Sequence, residues 1–360
     1  MKLLYITNGI NGSGGLERVL SIKASYLADE LGYEVHILVL NNTEQNPFYE
    51  FSEKIKFHSI DVGGNPISYF FKYKTGIQNV VTKINPDIIL VCDDGLKGFF
   101  LPTIIKTNAK WIYERHVSKL IEENVTDNFL KKISRYVKWS FMDRLGPTFD
   151  RFVVLTESNK KEWISLPNVI VISNPLSFYS ERHAELNNKT VICVARIAYQ
   201  KGQDLLIKSW EIVHTKYPEW QLHLYGKENL NFLDTRNLKN NVYFFPPAKD
   251  ILKKYLDSSI FVMSSRFEGF GMVLIEAMAC GVPCVSFDCD YGPSDIITDS
   301  VDGFLIAKEN ITELAEKIMR LISDEELRKR MGIVAKQNVD KFDKSVILKQ
   351  WDNLFKSLTD

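Results

Sequence analysis

Two hydrophobic periods alternate along the chain. Short, continuously apolar runs end in glycine-rich or polar turns. Longer stretches follow in which apolar residues recur at helical spacing. Leu3-Leu4-Tyr5-Ile6 is such a run, Asn11-Gly12-Ser13-Gly14-Gly15 is the turn, and Leu16 to Leu31 places Val19, Leu20, Ala24 and Leu27 on one helical face. Val35 to Leu40, Asp87 to Cys92, Trp111 to Glu114 and Val169 to Ile172 read as further strands. Periodicity stops at Asn174-Pro175-Leu176 and resumes after Asn188, which predicts a hinge there. Thr190 to Ala195 then reads as a strand, its loop carries Arg196, Lys201 and Gly202, and a helix is expected from Gln203 to about Tyr217.

The same alternation continues. Asn241 to Phe245 reads as a strand, as does Ser258 to Met263, and a glycine loop from Glu268 to Gly271 opens an apolar helical run. Gly281 and Pro283 stop that run, and Val282 to Phe287 reads as the next strand. Strand, loop, helix, strand in this order predicts an α/β fold with parallel sheets, whose loops at the carboxyl ends of the strands bind ligands. The 360 residues exceed what one core usually supports, so two domains are expected.

Composition narrows the classes. The 45 basic and 45 acidic residues cancel, which removes any bulk electrostatic case for nucleic acid. Cys92, Cys193, Cys280, Cys284 and Cys289 lack zinc-site spacing and read as reduced core thiols. The apolar run ending before Thr7-Asn8 is too short for a signal-peptide core, and no stretch is long and apolar enough to span a bilayer. The cytoplasm is therefore the expected compartment.

The chemistry concentrates in Ser265-Arg266-Phe267-Glu268-Gly269-Phe270-Gly271-Met272-Val273, followed by Glu276. Glu268 stands in the glycine loop, and Glu276 stands eight positions later, about one turn inside the helix. The first helical N–H groups, near Gly271 to Val273, carry the positive end of the helix dipole and suit a phosphate. Carboxylates on either side suit the hydroxyl pairs of a sugar-phosphate ligand. Taken alone, two glutamates at this spacing are as readily a loop acid and a helix-surface acid. The first glycine turn does not meet the dinucleotide-binding fingerprint. Glu17 takes the place of the last glycine, and Asn41-Asn42 follow the second strand where an acid is required. No Walker A loop occurs.

With these residues assembled, the chain resembles the retaining glycosyltransferases of the GT-B fold, in the large group called family 4. The stretch from Ser265 through Pro283 matches that group's E-x7-E signature, and Gly14-Gly15-Leu16-Glu17-Arg18 matches its G-G-x-E-R start. The resemblance implies two Rossmann-like domains facing each other across a cleft. Residues 1–175 would form the acceptor side, 176–188 the hinge, 189–341 the donor side, and 342–360 a helix crossing back. It implies a nucleotide diphosphate sugar as donor, with a UDP-sugar expected, and a glycan or lipid-linked hydroxyl as acceptor. Transfer would proceed with retention, without a metal or other cofactor, in cell-surface polysaccharide assembly.

By the same resemblance Gly14, Gly15, Arg196, Lys201, Glu268, Gly269, Phe270, Gly271, Met272, Val273 and Glu276 hold the donor. Glu268, His116, Arg196 and Lys201 serve catalysis, and Glu17 and His116 meet the acceptor. Asp93 and Asp94, after the strand ending at Cys92, either meet acceptor hydroxyls or act as turn and helix-cap residues. Asp288-Cys289-Asp290 is a D-x-D sequence of the kind that holds a metal in the other major glycosyltransferase fold, but two acids are too few oxygens for an octahedral site. Two other functions fit the resemblance. One is a nucleotide-sugar epimerase, which needs no acceptor; the other is a non-catalytic partner that binds a nucleotide sugar for another transferase.

One stretch lies outside these motifs. Lys131, Lys132, Arg135, Lys138 and Arg144 interleave with Ile133, Tyr136, Val137, Trp139, Phe141 and Met142, and Asp143 is the sole acid there. A basic amphipathic helix of this kind either lies on an anionic membrane, at the inner face of the cytoplasmic membrane, or docks on its own domain with its charges solvated.

Overall fold

In the computed structural model the continuous apolar runs are strands of parallel sheets covered on both faces, the arrangement such runs require. All residues are described except 13, 42–46, 93–94, 120–128, 249 and 360. The chain forms two units, Met1–Pro175 with Lys344–Asp360, and Leu176–Asp343.

The first unit holds β1 (Lys2–Thr7), β2 (Glu34–Leu40), β3 (Lys56–Ile60), β4 (Ile88–Cys92), β5 (Lys110–Glu114), β6 (Arg151–Val154) and β7 (Val169–Val171). Their order in the sheet is β3-β2-β1-β4-β5-β6-β7, and every pairing is parallel. Leu3, Tyr5, Leu20 and Leu27 pack on one face with Trp351 and Phe355 of the last helix, Lys344–Thr359. That helix joins this unit through its apolar stripe, with Phe355 edge-on to Tyr33 at 6.1 Å and Asp352 accepting from the Tyr33 hydroxyl. Leu4, Ile6, Tyr73, Phe99 and Trp163 pack on the other face.

The second unit holds β8 (Thr190–Val194), β9 (Gln221–Tyr225), β10 (Val242–Phe245), β11 (Ile260–Met263), β12 (Cys284–Asp288) and β13 (Gly303–Ala307). The order is β10-β9-β8-β11-β12-β13, again all parallel. The order reverses direction at β8, between β9 and β11. The loops after β8 and β11 therefore flank the switch point, where sheets of this kind take ligands.

Several details differ from the sequence expectations. Residues 176–188, expected as a hinge, group with the second unit, where Leu176 N–H donates to Phe342 O and Ala184 N–H donates to Cys280 O, both at 2.8 Å. Ser294 is not a helix cap: the short helix Pro293–Ile296 is capped by Gly292 at φ 105°. Gly292 is required there, because a Cβ would stand 2.1 Å from Phe270 O. Strands β3, β6, β9 and β13 are additions to the sequence expectation. β3 is a half-exposed edge strand of mixed polarity and so lacks the apolar run that marks its neighbours.

Candidate functional site

The loop after β8 runs through Arg196 to a turn at Tyr199–Lys201 and enters the helix Gln203–Lys216 at Gly202. Gly202 sits at φ 62°, and a Cβ on it would stand 2.0 Å from Ser264 O. Only glycine permits the two loops to come this close. Ser264 Oγ donates to Lys201 O at 3.0 Å, and Arg266 N–H donates to Gln200 O at 2.8 Å. These contacts deliver Lys201 to Glu268. The ammonium meets Oε1 at 2.6 Å, and Ser265 Oγ donates to the same oxygen at 2.6 Å. Glu268 is buried and Lys201 is half-buried. Beside them Arg196 is exposed, its Nη2 donating to Gln200 Oε1 at 2.9 Å, and Gln200 Nε2 donates in turn to Phe267 O.

Arg266 fastens this arrangement, a role the sequence alone does not assign to it. It is 7% exposed, binds Asp204 through Nη1–Oδ1 at 2.9 Å and Nη2–Oδ2 at 2.7 Å, and reaches Glu309 through Nε at 2.8 Å. Its guanidinium also lies 4.0 Å from the Tyr199 ring centre and donates to Tyr199 O. A planar fork that can bind and stack at once is a property of arginine. The sequence signal is an arginine three residues past a buried strand; its partners are too distant along the chain to identify.

Gly269 and Phe270 complete the loop. Phe270 is buried edge-on against Phe342 at 5.5 Å. Gly271, at φ 98°, caps the helix Met272–Ala279, whose first residues, Met272 and Val273, are partly exposed. Glu276 lies one turn in and is fully buried, accepting from Ser177 Oγ at 2.7 Å and from the Tyr255 hydroxyl at 3.1 Å. The structure thus brings Lys201, Glu268 and the helix entry together, while Glu276 faces its own pair of hydroxyls. Burial pushes the Cys193 thiol up to about 12, with smaller opposing effects of Lys201 and Glu268. Asp290 pairs with Lys308 at 2.8 Å.

In the first unit Gly14 caps the helix Gly15–Asp29. The Glu17 carboxylate folds back over the glycine turn, where a Cβ on Gly12 or Gly14 would meet it at 2.3 or 2.6 Å. His116 follows β5, and its Nε2 lies 3.3 Å from Glu114 Oε2. Asp93 and Asp94 lie outside the described residues. Cys92, Glu114 and His116 bring three ligand-type atoms within 4.8 Å of one another. The Lys23 ammonium already contacts the Glu114 carboxylate, so a second cation there would be repelled.

The basic stretch is a helix, Phe129–Leu145, in which Met142 alone is buried. Phe129, Leu130, Ile133, Tyr136, Val137 and Phe141 are exposed. No described helix is long and apolar enough to cross a membrane.

Two units, each built on an all-parallel α/β sheet, are the architecture of the GT-B fold, and the second carries a cation–carboxylate pair at its switch point. Comparison with known proteins supports a GT-B glycosyltransferase. Residues 178–338 match the family described as glycosyl transferases group 1, and residues 16–143 match glycosyl transferase 4-like proteins. The chain is 29% identical to an uncharacterized glycosyltransferase of Haemophilus influenzae, over 98% of the chain and 99% of that relative. It is 28% identical to the amylovoran biosynthesis glycosyltransferase AmsD of Erwinia amylovora, with the same coverage. Its fold is similar to that of Staphylococcus aureus TarM, solved as a point mutant in complex with fondaparinux, alpha-GlcNAc-glycerol and UDP. The TM-score is 0.78 at 17% identity, covering 98% of this chain and 99% of that one.

Proposed function

We propose that the protein transfers a sugar from a UDP-sugar to a hydroxyl of a glycan or lipid-linked acceptor, with retention and without a metal, in the assembly of a cell-surface polysaccharide. The observation that carries the reading is the Lys201–Glu268 pair at 2.6 Å, set between the two loops at the switch point. AmsD, named for amylovoran biosynthesis, and the UDP bound to TarM support the polysaccharide and the nucleotide.

The hard step is departure of the diphosphate as the sugar gains cationic character. Arg196, Lys201 and the helix entry at Gly271 stabilise the charge growing on the leaving group. Glu268 binds sugar hydroxyls and favours the cationic sugar, and Glu276 holds the ribose diol. Gly14 and Gly15 let the backbone approach the donor phosphates. Glu17, Asp93, Asp94 and His116 belong to the acceptor side. The helix Phe129–Leu145 rests its basic and apolar residues on the anionic inner face of the cytoplasmic membrane, where a lipid-linked acceptor would reside.

The test is UDP release from a panel of UDP-sugars, with and without EDTA. Arg196→Ala should lower kcat by about 10²–10³ with a smaller change in donor KM. Near-normal kcat would remove Arg196 from the mechanism, and loss of turnover with EDTA would remove metal independence. Proton NMR of the glycoside product reads retention directly. Sedimentation with anionic liposomes should be weakened by reversing the charges of Lys131, Lys132 and Arg135; unchanged binding would sink the membrane contact.

A further inference from the structure

We infer that Glu114, held by Lys23, positions the imidazole of His116 so that Nε2 carries the proton and Nδ1 is the nitrogen left to accept one. The inference rests on the reading of His116 as a group beside the transferred sugar and the acceptor. Lys23 comes from the helix that follows the Gly14-Gly15 turn, and Glu114 is the last residue of β5. Each is 2% exposed. The Lys23 ammonium is bonded to Glu114 Oε2 and is boxed in by rings, 4.1 Å from the centre of Trp351 and 5.1 Å from that of Tyr5. His116 Nε2 approaches the same Oε2 at 3.3 Å. Its side chain is 7% exposed, so little water competes for that nitrogen.

The chemistry of the carboxylate fixes the direction of the contact. Burial works against the charge on Glu114, but the Lys23 ammonium and the His116 hydrogen bond outweigh it and hold the carboxyl down at about 2. An ionised carboxylate only accepts, so the imidazole nitrogen facing it must be the donor. That choice of tautomer sets what the opposite nitrogen can do. Among the described residues Tyr5 and Cys92 also adjoin Glu114, and burial pushes the Tyr5 hydroxyl well up, so it stays neutral. Glu114 Oε1 and the Tyr5 hydroxyl are buried with no hydrogen-bond partner among the described residues. A buried ion pair is a weak stabiliser, since apolar residues of like volume commonly do as well. Its place directly behind a histidine at the sheet's carboxyl edge accounts for it better than stability does.

The test is nitrogen-15 NMR of histidine-labelled protein, with kinetics on the same samples. The native protein should show His116 as the Nε2–H tautomer at neutral pH. Glu114→Leu, which leaves no acceptor at that nitrogen, should loosen the Nε2–H preference and lower kcat by at least about tenfold, with donor KM little changed, and Glu114→Gln, whose carbonyl still accepts, should restore part of the rate. A native Nδ1–H tautomer, or a tautomer balance that Glu114→Leu leaves unmoved, overturns the inference. If Glu114→Leu fails to fold, Lys23→Met with Glu114→Leu removes both buried charges together and should show the same loosening. His116→Ala with unchanged turnover would instead defeat the assignment of His116 to the reaction, whatever its tautomer.

Discussion

Arg266 and Asp204 meet in a two-pronged ion pair, at 2.9 and 2.7 Å, that ties the loop bearing Glu268 to the helix entered through Lys201 and Gly202. The pair touches neither member of the Lys201–Glu268 contact, yet it sets the spacing between the segments that carry them. Arg266→Lys keeps the charge and loses the fork and the stacking on Tyr199. It should lower kcat more than it raises donor KM, while costing about 1–3 kcal/mol in denaturant unfolding. A variant with normal kcat would show that the loops hold their register without the clamp.

Gly202 offers a sharper stability test. Its φ of 62° and the 2.0 Å approach a Cβ would make to Ser264 O leave no room for alanine. Gly202→Ala should destabilise the second unit by more than about 1 kcal/mol, through strain and through separation of the two loops. Calorimetry should register the loss. Gly15→Ala, where a Cβ meets nothing within 4 Å, serves as the control for stability.

Acid should weaken the first unit through Glu114. Its carboxyl lies lower in the folded protein than its ordinary value, so the unfolded chain takes up the proton first as pH falls. The stabilisation is complete above the ordinary glutamate range and is lost as pH drops toward 2, on the order of 2–4 kcal/mol in all. Lys23→Met with Glu114→Gln should flatten that part of the stability–pH curve. An unchanged acid limb would mean the buried pair contributes no such dependence.

The thiols should be inert in the native state. All five cysteines are buried, and burial pushes Cys193 and Cys280 up to about 12 and Cys284 and Cys289 upward as well. The thiolate is the reactive form. Iodoacetamide at about pH 8 should leave the folded protein unmodified by mass spectrometry and label all five sites in denaturant. Rapid labelling of Cys193 in the folded protein would show that the ground beside Lys201 and Glu268 opens to solvent.

The donor-side loops are legible in the sequence because their chemistry is local. Glu268, Gly271 and Glu276 fall within one strand–loop–helix unit, and periodicity alone places that loop at a sheet edge. What is not legible depends on contacts between distant positions. Arg266 meets Asp204 62 residues away and Glu309 43 residues away, and Lys23 meets Glu114 across 91. No spacing rule announces such pairs. The hydroxyls of Ser177 and Tyr255 on Glu276 are of the same kind. The helix Phe129–Leu145 shows the converse limit. Its amphipathic pattern is plain in the sequence, but only the structure reveals that Met142 alone is buried, leaving the apolar stripe exposed.

The central claim is that the loops carrying Arg196, Lys201 and Glu268 form the seat of a nucleotide sugar. Saturation-transfer NMR with a panel of UDP-, GDP- and ADP-sugars, with and without EDTA, tests it most directly. The account predicts EDTA-insensitive binding of a UDP-sugar that is lost in Lys201→Ala and retained in Lys131→Glu. Binding of no nucleotide sugar by the folded protein, or binding indifferent to Lys201, would contradict it.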